Sequence, residues 1–184
     1  MQGVLQPVSQ LAQSLARART ADGAAAEVVQ WLRAVAEVAP SIPKPDRRSP
    51  NRSYSRTLLH RCPQFEILVL HWDAGCASAI HDHGGAYCWL AVASGNMGVE
   101  NFLRCDSGAT PDFAQIRFDG RELLAPGAID HRQDDVHLHR CIAADGPAVT
   151  LHVYAHPIDR FHTFDERTER CFEVTSTYDA ILNA

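Results

Sequence analysis

The sequence predicts a mainly β fold, a small jelly-roll barrel behind a short helical N-terminal segment. Three observations carry this. Apolar residues recur at helical spacing only as far as Ala36. A proline-rich stretch from Pro40 to Pro50, with Pro43 and Pro45 inside it, then closes the helical part. Beyond it, short alternating or β-rich runs succeed one another with turn residues roughly every 8–12 positions, the grammar of a sandwich or barrel.

In chain order, Val4, Leu5, Val8, Leu11 and Leu15 mark one amphipathic helix, and Val28, Val29, Leu32, Val35 and Ala36 mark a second. Ala21-Asp22-Gly23 separates them. Residues 1–45 therefore read as a helical cap and 46–184 as the barrel, one structural domain overall. Strands are expected at 54–59, 65–72, 77–83, 86–93, 97–104, 115–118, 122–124, 136–142 and 148–154. Turns between them are expected at Asp73–Gly75, Ser94-Gly95-Asn96, Asp106-Ser107-Gly108, Asp119-Gly120 and Asp145-Gly146-Pro147.

Composition narrows the function classes. The chain has 184 residues, 46% of them hydrophobic and 21% charged, with a formal charge of −5 when His is neutral. Lys44 is its only lysine and no polybasic run occurs, so nucleic acid is not an expected partner. No apolar run approaches the ~20 residues of a membrane span. The N-terminus lacks a basic segment followed by an apolar core, so no signal peptide is expected. Cys62, Cys76, Cys88, Cys105, Cys141 and Cys171 show no CxxC spacing and read as reduced thiols of a cytoplasmic protein. A monomer is expected.

The most informative stretch runs from Gly75 to Gly95. His81 and His83 stand two apart and share a face of a strand. Gly84-Gly85 suits a two-residue hairpin turn, which needs positive φ. That hairpin would pair His83 with Ala86 and His81 with Cys88, bringing Cys88 onto the face of both histidines. Imidazoles suit zinc, copper, iron and nickel, so a transition-metal site is expected. Gly75, six residues before His81, and Gly95, seven after Cys88, strengthen the pattern. A third ligand must come from elsewhere, with His131, His137, His139 and His152 as candidates. Strand parity does not separate His137 from His139.

Two other groups stand out. Tyr54 and Arg56 face the same way on a strand, and a guanidinium matches a carboxylate bidentately. Thr150, His152 and Tyr154 alternate with Leu151 and Val153, which puts three polar groups on one face of an apolar run. Buried polar groups need partners, so such a trio is not idle.

The frame around His81 and His83 resembles the first motif of the cupin superfamily, in which a glutamate usually stands where this chain has Cys88. Pro126-Gly127 with His131 loosely resembles the second. Tyr54–Leu59, Ser78–His83, Leu138-His139-Arg140, Thr150–Tyr154 and Phe164–Thr168 occur in the same order as in cysteine dioxygenases, a likeness running from about residue 50 to 175.

The resemblance implies a cupin-type barrel and a non-haem Fe(II) held by His81, His83 and His139. It also implies oxidation of L-cysteine by both atoms of O2 to cysteine sulfinic acid, a step of cysteine catabolism. Three histidines with no carboxylate would leave three positions of an octahedral iron for substrate and O2. Arg56, beside Tyr54, is then expected to hold the substrate carboxylate. His152 is expected to orient Tyr154 as a hydrogen-bond donor, with Thr150 in the place of the family's serine. Cys88 and Tyr154 match the partners of a thioether found in some relatives. After Tyr154, Ala155-His156-Pro157 departs from the serine and two prolines of many relatives. Trp72, Trp89 and Phe161 are expected to pack around the site. Alternatives are the same chemistry on 3-mercaptopropionate or homocysteine, and a metal-binding sensory cupin without turnover.

Overall fold

Helix α1 (Gln2–Arg17) and helix α2 (Ala21–Val38) open the chain, and a 3-10 turn over Ala39–Ser41 ends the helical part ahead of the prolines. These coordinates are a computed structural model that describes residues 2–17, 21–46, 49–50, 52–132 and 137–182. Ala21-Asp22-Gly23 belongs to the first turn of α2 and is not the connector. The first N–H groups of a helix have no helical partner, so a glycine costs little there. Val8, Leu11, Leu32, Val35 and Ala36 are buried together. The side chains of Val4, Leu5, Leu15 and Val28 lie outside the described residues. No described helix is long and apolar enough to cross a membrane.

Twelve strands follow among the described residues. The first six are β1 (Tyr54–Arg61), β2 (Glu66–Trp72), β3 (Ile80–His81), β4 (Tyr87–Ser94), β5 (Met97–Arg104) and β6 (Ile116–Leu124). The rest are β7 (Ile129–Arg132), β8 (His137–Ala143), β9 (Ala148–Ala155), β10 (Arg160–Asp165), β11 (Arg170–Thr175) and β12 (Ala180–Ile181). They form two six-stranded sheets, ordered β12-β1-β2-β9-β4-β7 and β11-β10-β3-β8-β5-β6. All pairings are antiparallel except β1 with β12.

Alternation assigns the faces. In β2, Ile67 and Val69 pack under the helices, whereas Leu68, Leu70 and Trp72 point between the sheets. Both faces are covered, so every residue of β2 is buried. In β9, Leu151 and Val153 meet the helices, leaving Thr150, His152 and Tyr154 on the barrel interior. Burying a side chain such as Ile67 stabilises by ~1.5–3 kcal/mol relative to exposure. A third apolar cluster, with Ile80, Phe102, Leu138 and Phe164, covers the far face of the second sheet.

Several expectations are corrected. Ala86 N donates to His83 O at 3.1 Å, and Gly84 and Gly85 have φ of +57° and +79°, so the tight turn is present. The ladder behind it is not. β3 pairs with β8 and β10, and β4 pairs with β7 and β9, so the turn carries the chain from one sheet to the other. His81 and Cys88 are therefore not cross-strand partners. A Cβ on Gly84 would stand 2.4 Å from Arg160 O, so the turn lies tight against β10. The strand expected over 77–83 contracts to Ile80–His81. The runs 115–118 and 122–124 are one strand, with Asp119-Gly120 inside it where the register slips by a bulge. Strands β7, β10, β11 and β12 were not expected.

Candidate active site

His81 and His139 stand directly opposite each other on β3 and β8. His83 follows just before the Gly84-Gly85 turn. Asp82 between them acts as a splint: its Oδ1 accepts His162 N at 2.7 Å and Gly84 N at 3.2 Å. Its Oδ2 lies 2.9 Å from His162 Nδ1. One nitrogen from each of His81, His83 and His139 lies within 4.8 Å of the others. His81 Nδ1 sits 2.9 Å from Ala79 O; a carbonyl only accepts, so Nδ1 carries the proton and Nε2 keeps the lone pair. His139 Nδ1 faces Asp130 Oδ2 at 3.9 Å, and that carboxylate is paired with Arg132.

A metal fits this group on two grounds. Both ring nitrogens of His83, and Nδ1 of His139, are buried without a hydrogen-bond partner. Buried polar atoms are rarely left so, and ligation would satisfy one nitrogen of His83. Burial also holds His81 below its ordinary pKa and pushes His83 and His139 well below theirs, repulsion from neighbouring imidazoles adding to the shift of the last two. The rings are therefore neutral near pH 7, the form that binds metal. Of the other candidates, His131 is exposed and stacks on Trp89 at 5.1 Å. His137 is exposed at the start of β8, and His152 has both nitrogens engaged elsewhere.

That engagement is a chain of hydrogen bonds. Trp72 Nε1 donates to Thr150 Oγ1 at 2.9 Å, Thr150 Oγ1 meets His152 Nε2 at 2.9 Å, and His152 Nδ1 meets Tyr154 Oη at 3.1 Å. Its direction follows from the indole, which can only donate. Thr150 is fully buried and its hydroxyl proton needs an acceptor, which His152 Nε2 supplies. Nδ1 then carries the imidazole proton and donates to Tyr154 Oη, leaving the phenol proton to point away from His152. Burial takes His152 down to about 3 and pushes Tyr154 well above 10, so both stay neutral.

The cavity that His81 and His83 line is also lined by Tyr54, Arg56, Trp72, Cys141, His152 and Tyr154. Arg56 is 6% exposed, so its charge is almost entirely withdrawn from water. Nη1 donates to Ser176 Oγ at 3.0 Å, and the guanidinium lies 5.7 Å over the Tyr178 ring. Tyr54 stacks on Trp72 at 4.2 Å, and burial raises its phenol pKa. Phe161 stands edge-on to His81 at 6.1 Å. An open cleft of about 810 Å³ shares Tyr54, Arg56, Ser78, His81 and Phe161 with this cavity.

Cys88 is buried and pairs in register with Tyr154 across β4 and β9. Directly opposed side chains have Cβ atoms about 4.5–5.5 Å apart. The thiol therefore shares the barrel interior with the tyrosine, although by a route other than the expected hairpin. Burial pushes its pKa well up. Cys141 is a second buried thiol of the cavity, raised to about 12 by burial. None of the six cysteines is disulfide-bonded.

Trp89 is a correction. Its odd parity to Cys88 turns it toward the helices, where it packs with Leu32 and Val35. Trp72, read from sequence as packing alone, opens the hydrogen-bond chain. Ser176, Tyr178 and Asp179, which hold Arg56, carried no sequence signal, because β12 reaches β1 only through tertiary pairing. The Ala155–His156 peptide bond is cis.

Comparison with known proteins gives a family and several relatives. A family profile described as cysteine dioxygenase type I matches residues 5–167. Cysteine dioxygenase type 1 of Homo sapiens is 31% identical over 128 residues, 68% of this chain and 62% of that protein. The protein of the same name from Rattus norvegicus is 30% identical with the same coverage. The matched segment thus spans less than two thirds of these relatives' length. Among solved structures, KdgF from Halomonas sp. superposes with a TM-score of 0.48 at 16% identity, over 62% of this chain and 88% of that one.

Proposed function

The chain belongs to the cysteine dioxygenase type I family, and from that premise we propose that it is an Fe(II)-dependent dioxygenase of a small carboxylate-bearing thiol, L-cysteine foremost. The observation that carries this reading is three neutral, clustered histidines, two of which line a cavity with a buried arginine and a hydrogen-bonded tyrosine. The overall change, R–SH + O2 → R–SO2H, balances with no external reductant.

His81, His83 and His139 would hold the iron, which when bound supplies a Lewis-acidic centre for thiolate and O2. The remaining work falls to the protein. Arg56 binds the substrate carboxylate: Ser176 occupies Nη1, and Nε with Nη2 form the edge suited to a bidentate carboxylate. Its positive charge also favours the thiolate over the thiol. Tyr154 donates its phenol proton into the cavity, a direction that Trp72, Thr150 and His152 impose in turn. Trp72, Tyr54 and Phe161 exclude water around the reacting atoms.

Cys88 and Tyr154 form a thioether in this reading: the thiol S–H and one ring C–H of the tyrosine break, an S–C bond forms, and the two electrons and two protons released reduce O2 to H2O2. The link would fix the phenol ring against His152.

Metal retention and oxygen uptake on a thiol panel test the proposal. Fe(II)-loaded protein should consume O2 with L-cysteine, His139→Ala should lose both iron and uptake, and His137→Ala should keep most of both. Equal losses in the two variants would remove His139 from the ligand set, and no uptake with any thiol would remove the activity.

A further inference from the structure

Arg56 is held by the segment that follows β11. Ser176 takes Nη1, the Tyr178 ring lies beneath the guanidinium, and Asp179 Oδ2 accepts the Arg56 backbone N–H at 2.7 Å. Among the anchors of that segment is a buried carboxylate. Tyr178 O–H donates to Oε2 of Glu66, a side chain with no exposed surface. Glu66 Oε1 accepts Ile158 N at 3.2 Å, and Ile158 is part of the cavity wall. Arg61 Nη1 donates to Tyr178 Oη at 2.5 Å and lies 3.5 Å from Glu66 Oε2, which offsets the buried charge.

A carboxylate taken wholly out of water is costly unless paired and hydrogen-bonded. An apolar residue at position 66 would pack on the face of Leu68 and Ile158 without that cost. The carboxylate gives something an apolar group does not, two oxygens aimed at two different segments. One segment carries the wall after Tyr154 and the other carries the ring under Arg56. Glu66 is also the register partner of Tyr154.

We infer that Glu66 is a positioning residue for recognition of the substrate carboxylate, acting through the Tyr178 ring on the Arg56 guanidinium. The inference rests on the reading of Arg56 as the carboxylate clamp. Bonding at Tyr178 Oη sets the tilt of the ring, and the ring face attracts the guanidinium. Ser176 then fixes its rotation about the remaining axis. Thiols that carry a carboxylate depend on this chain of contacts, and thiols without one do not. Glutamine cannot replace Glu66 fully. Its one carbonyl oxygen takes the place of only one of the two carboxylate oxygens, so either Ile158 N or Tyr178 O–H loses its acceptor.

The test is anaerobic equilibrium binding of L-cysteine and of cysteamine, which lacks the carboxylate, to Fe(II)-loaded protein. The readout is the ratio of the two Kd values, with unfolding temperature measured in parallel. Tyr178→Leu, which removes the ring, should shift the ratio against L-cysteine about tenfold. Tyr178→Phe keeps the ring and loses its anchor, and should shift it roughly threefold, as should Glu66→Gln. Partial rescue by Phe relative to Leu is the signature of positioning. An unchanged ratio in Tyr178→Leu, or equal weakening of both thiols in Glu66→Gln and Tyr178→Phe, overturns the inference. Oxygen uptake by the unaltered protein, measured separately, decides the dioxygenase reading; the binding ratio decides this one.

Discussion

Replacing Thr150 by valine keeps its shape and removes Oγ1. In the structure that oxygen accepts Trp72 Nε1–H and donates to His152 Nε2, both at 2.9 Å. Trp72, Thr150 and His152 are 3%, 0% and 4% exposed, so water does not replace the lost bonds. Two buried polar atoms are left without partners at about 1–3 kcal/mol each, a destabilisation of ~2–6 kcal/mol. For a domain of this size, that lowers the unfolding temperature by roughly 5–20 °C. Thr150→Ser retains both bonds and loses one methyl group, a cost of about 1 kcal/mol. Function should follow the same order. Without Thr150, nothing holds His152 Nε2 as an acceptor, the imidazole proton can move to it, and Tyr154 can turn its proton inward to Nδ1. Turnover should fall at least about tenfold in the valine variant and little in the serine variant. Urea unfolding and oxygen uptake of the three proteins form the assay, with the ¹⁵N spectrum of His152 reporting the protonated nitrogen. A valine variant as stable as the serine variant, with Nδ1 still protonated, would refute the directed chain.

Arg56→Gln should raise the KM for L-cysteine far more than that for cysteamine, by ~2–5 kcal/mol for a buried charge pair; an unchanged preference in steady-state kinetics would take Arg56 out of the site. In metal-free protein, His152 has a folded pKa of about 3 against an ordinary value near 6.5. The unfolded chain therefore binds more protons, and this contribution to stability is complete above about 6.5 and lost as the pH falls toward 3. Urea midpoints across that window should fall with pH, less steeply in His152→Gln, and an equal slope in the variant would contradict the buried neutral imidazole. After many turnovers, tryptic peptides carrying Cys88 and Tyr154 should appear joined and lighter by the two hydrogens lost. Cys88→Gly should abolish that species and leave partial activity, whereas unmodified peptides alone would exclude the link.

What could be read from the sequence is what alternation and local turns determine. The common face of Thr150, His152 and Tyr154 follows from parity alone, because Leu151 and Val153 demand the opposite side. The Gly84-Gly85 reversal is equally local, since only positive φ is needed. Which strands the reversal joins is not local. A turn reverses the chain, whereas the ladder partner depends on how two sheets close over a core, so β3 and β4 part company after it. The helix-facing side of Trp89 follows from the same parity that places Cys88 inside, which sets it apart from the packing around the site. β7, with Ile129 followed by Asp130, His131 and Arg132, shows no apolar alternation and is stabilised by its pairing with β4. The Glu66–Tyr178 contact joins residues 112 positions apart. No spacing in the sequence announces it.

Oxygen-18 labelling tests the dioxygenase reading most directly. Iron-reconstituted protein given L-cysteine under ¹⁸O2 should yield cysteine sulfinic acid with both sulfinate oxygens labelled, one O2 consumed per sulfinate formed. Uptake that produces only disulfide, or a sulfinate with an oxygen drawn from water before any exchange, would contradict it.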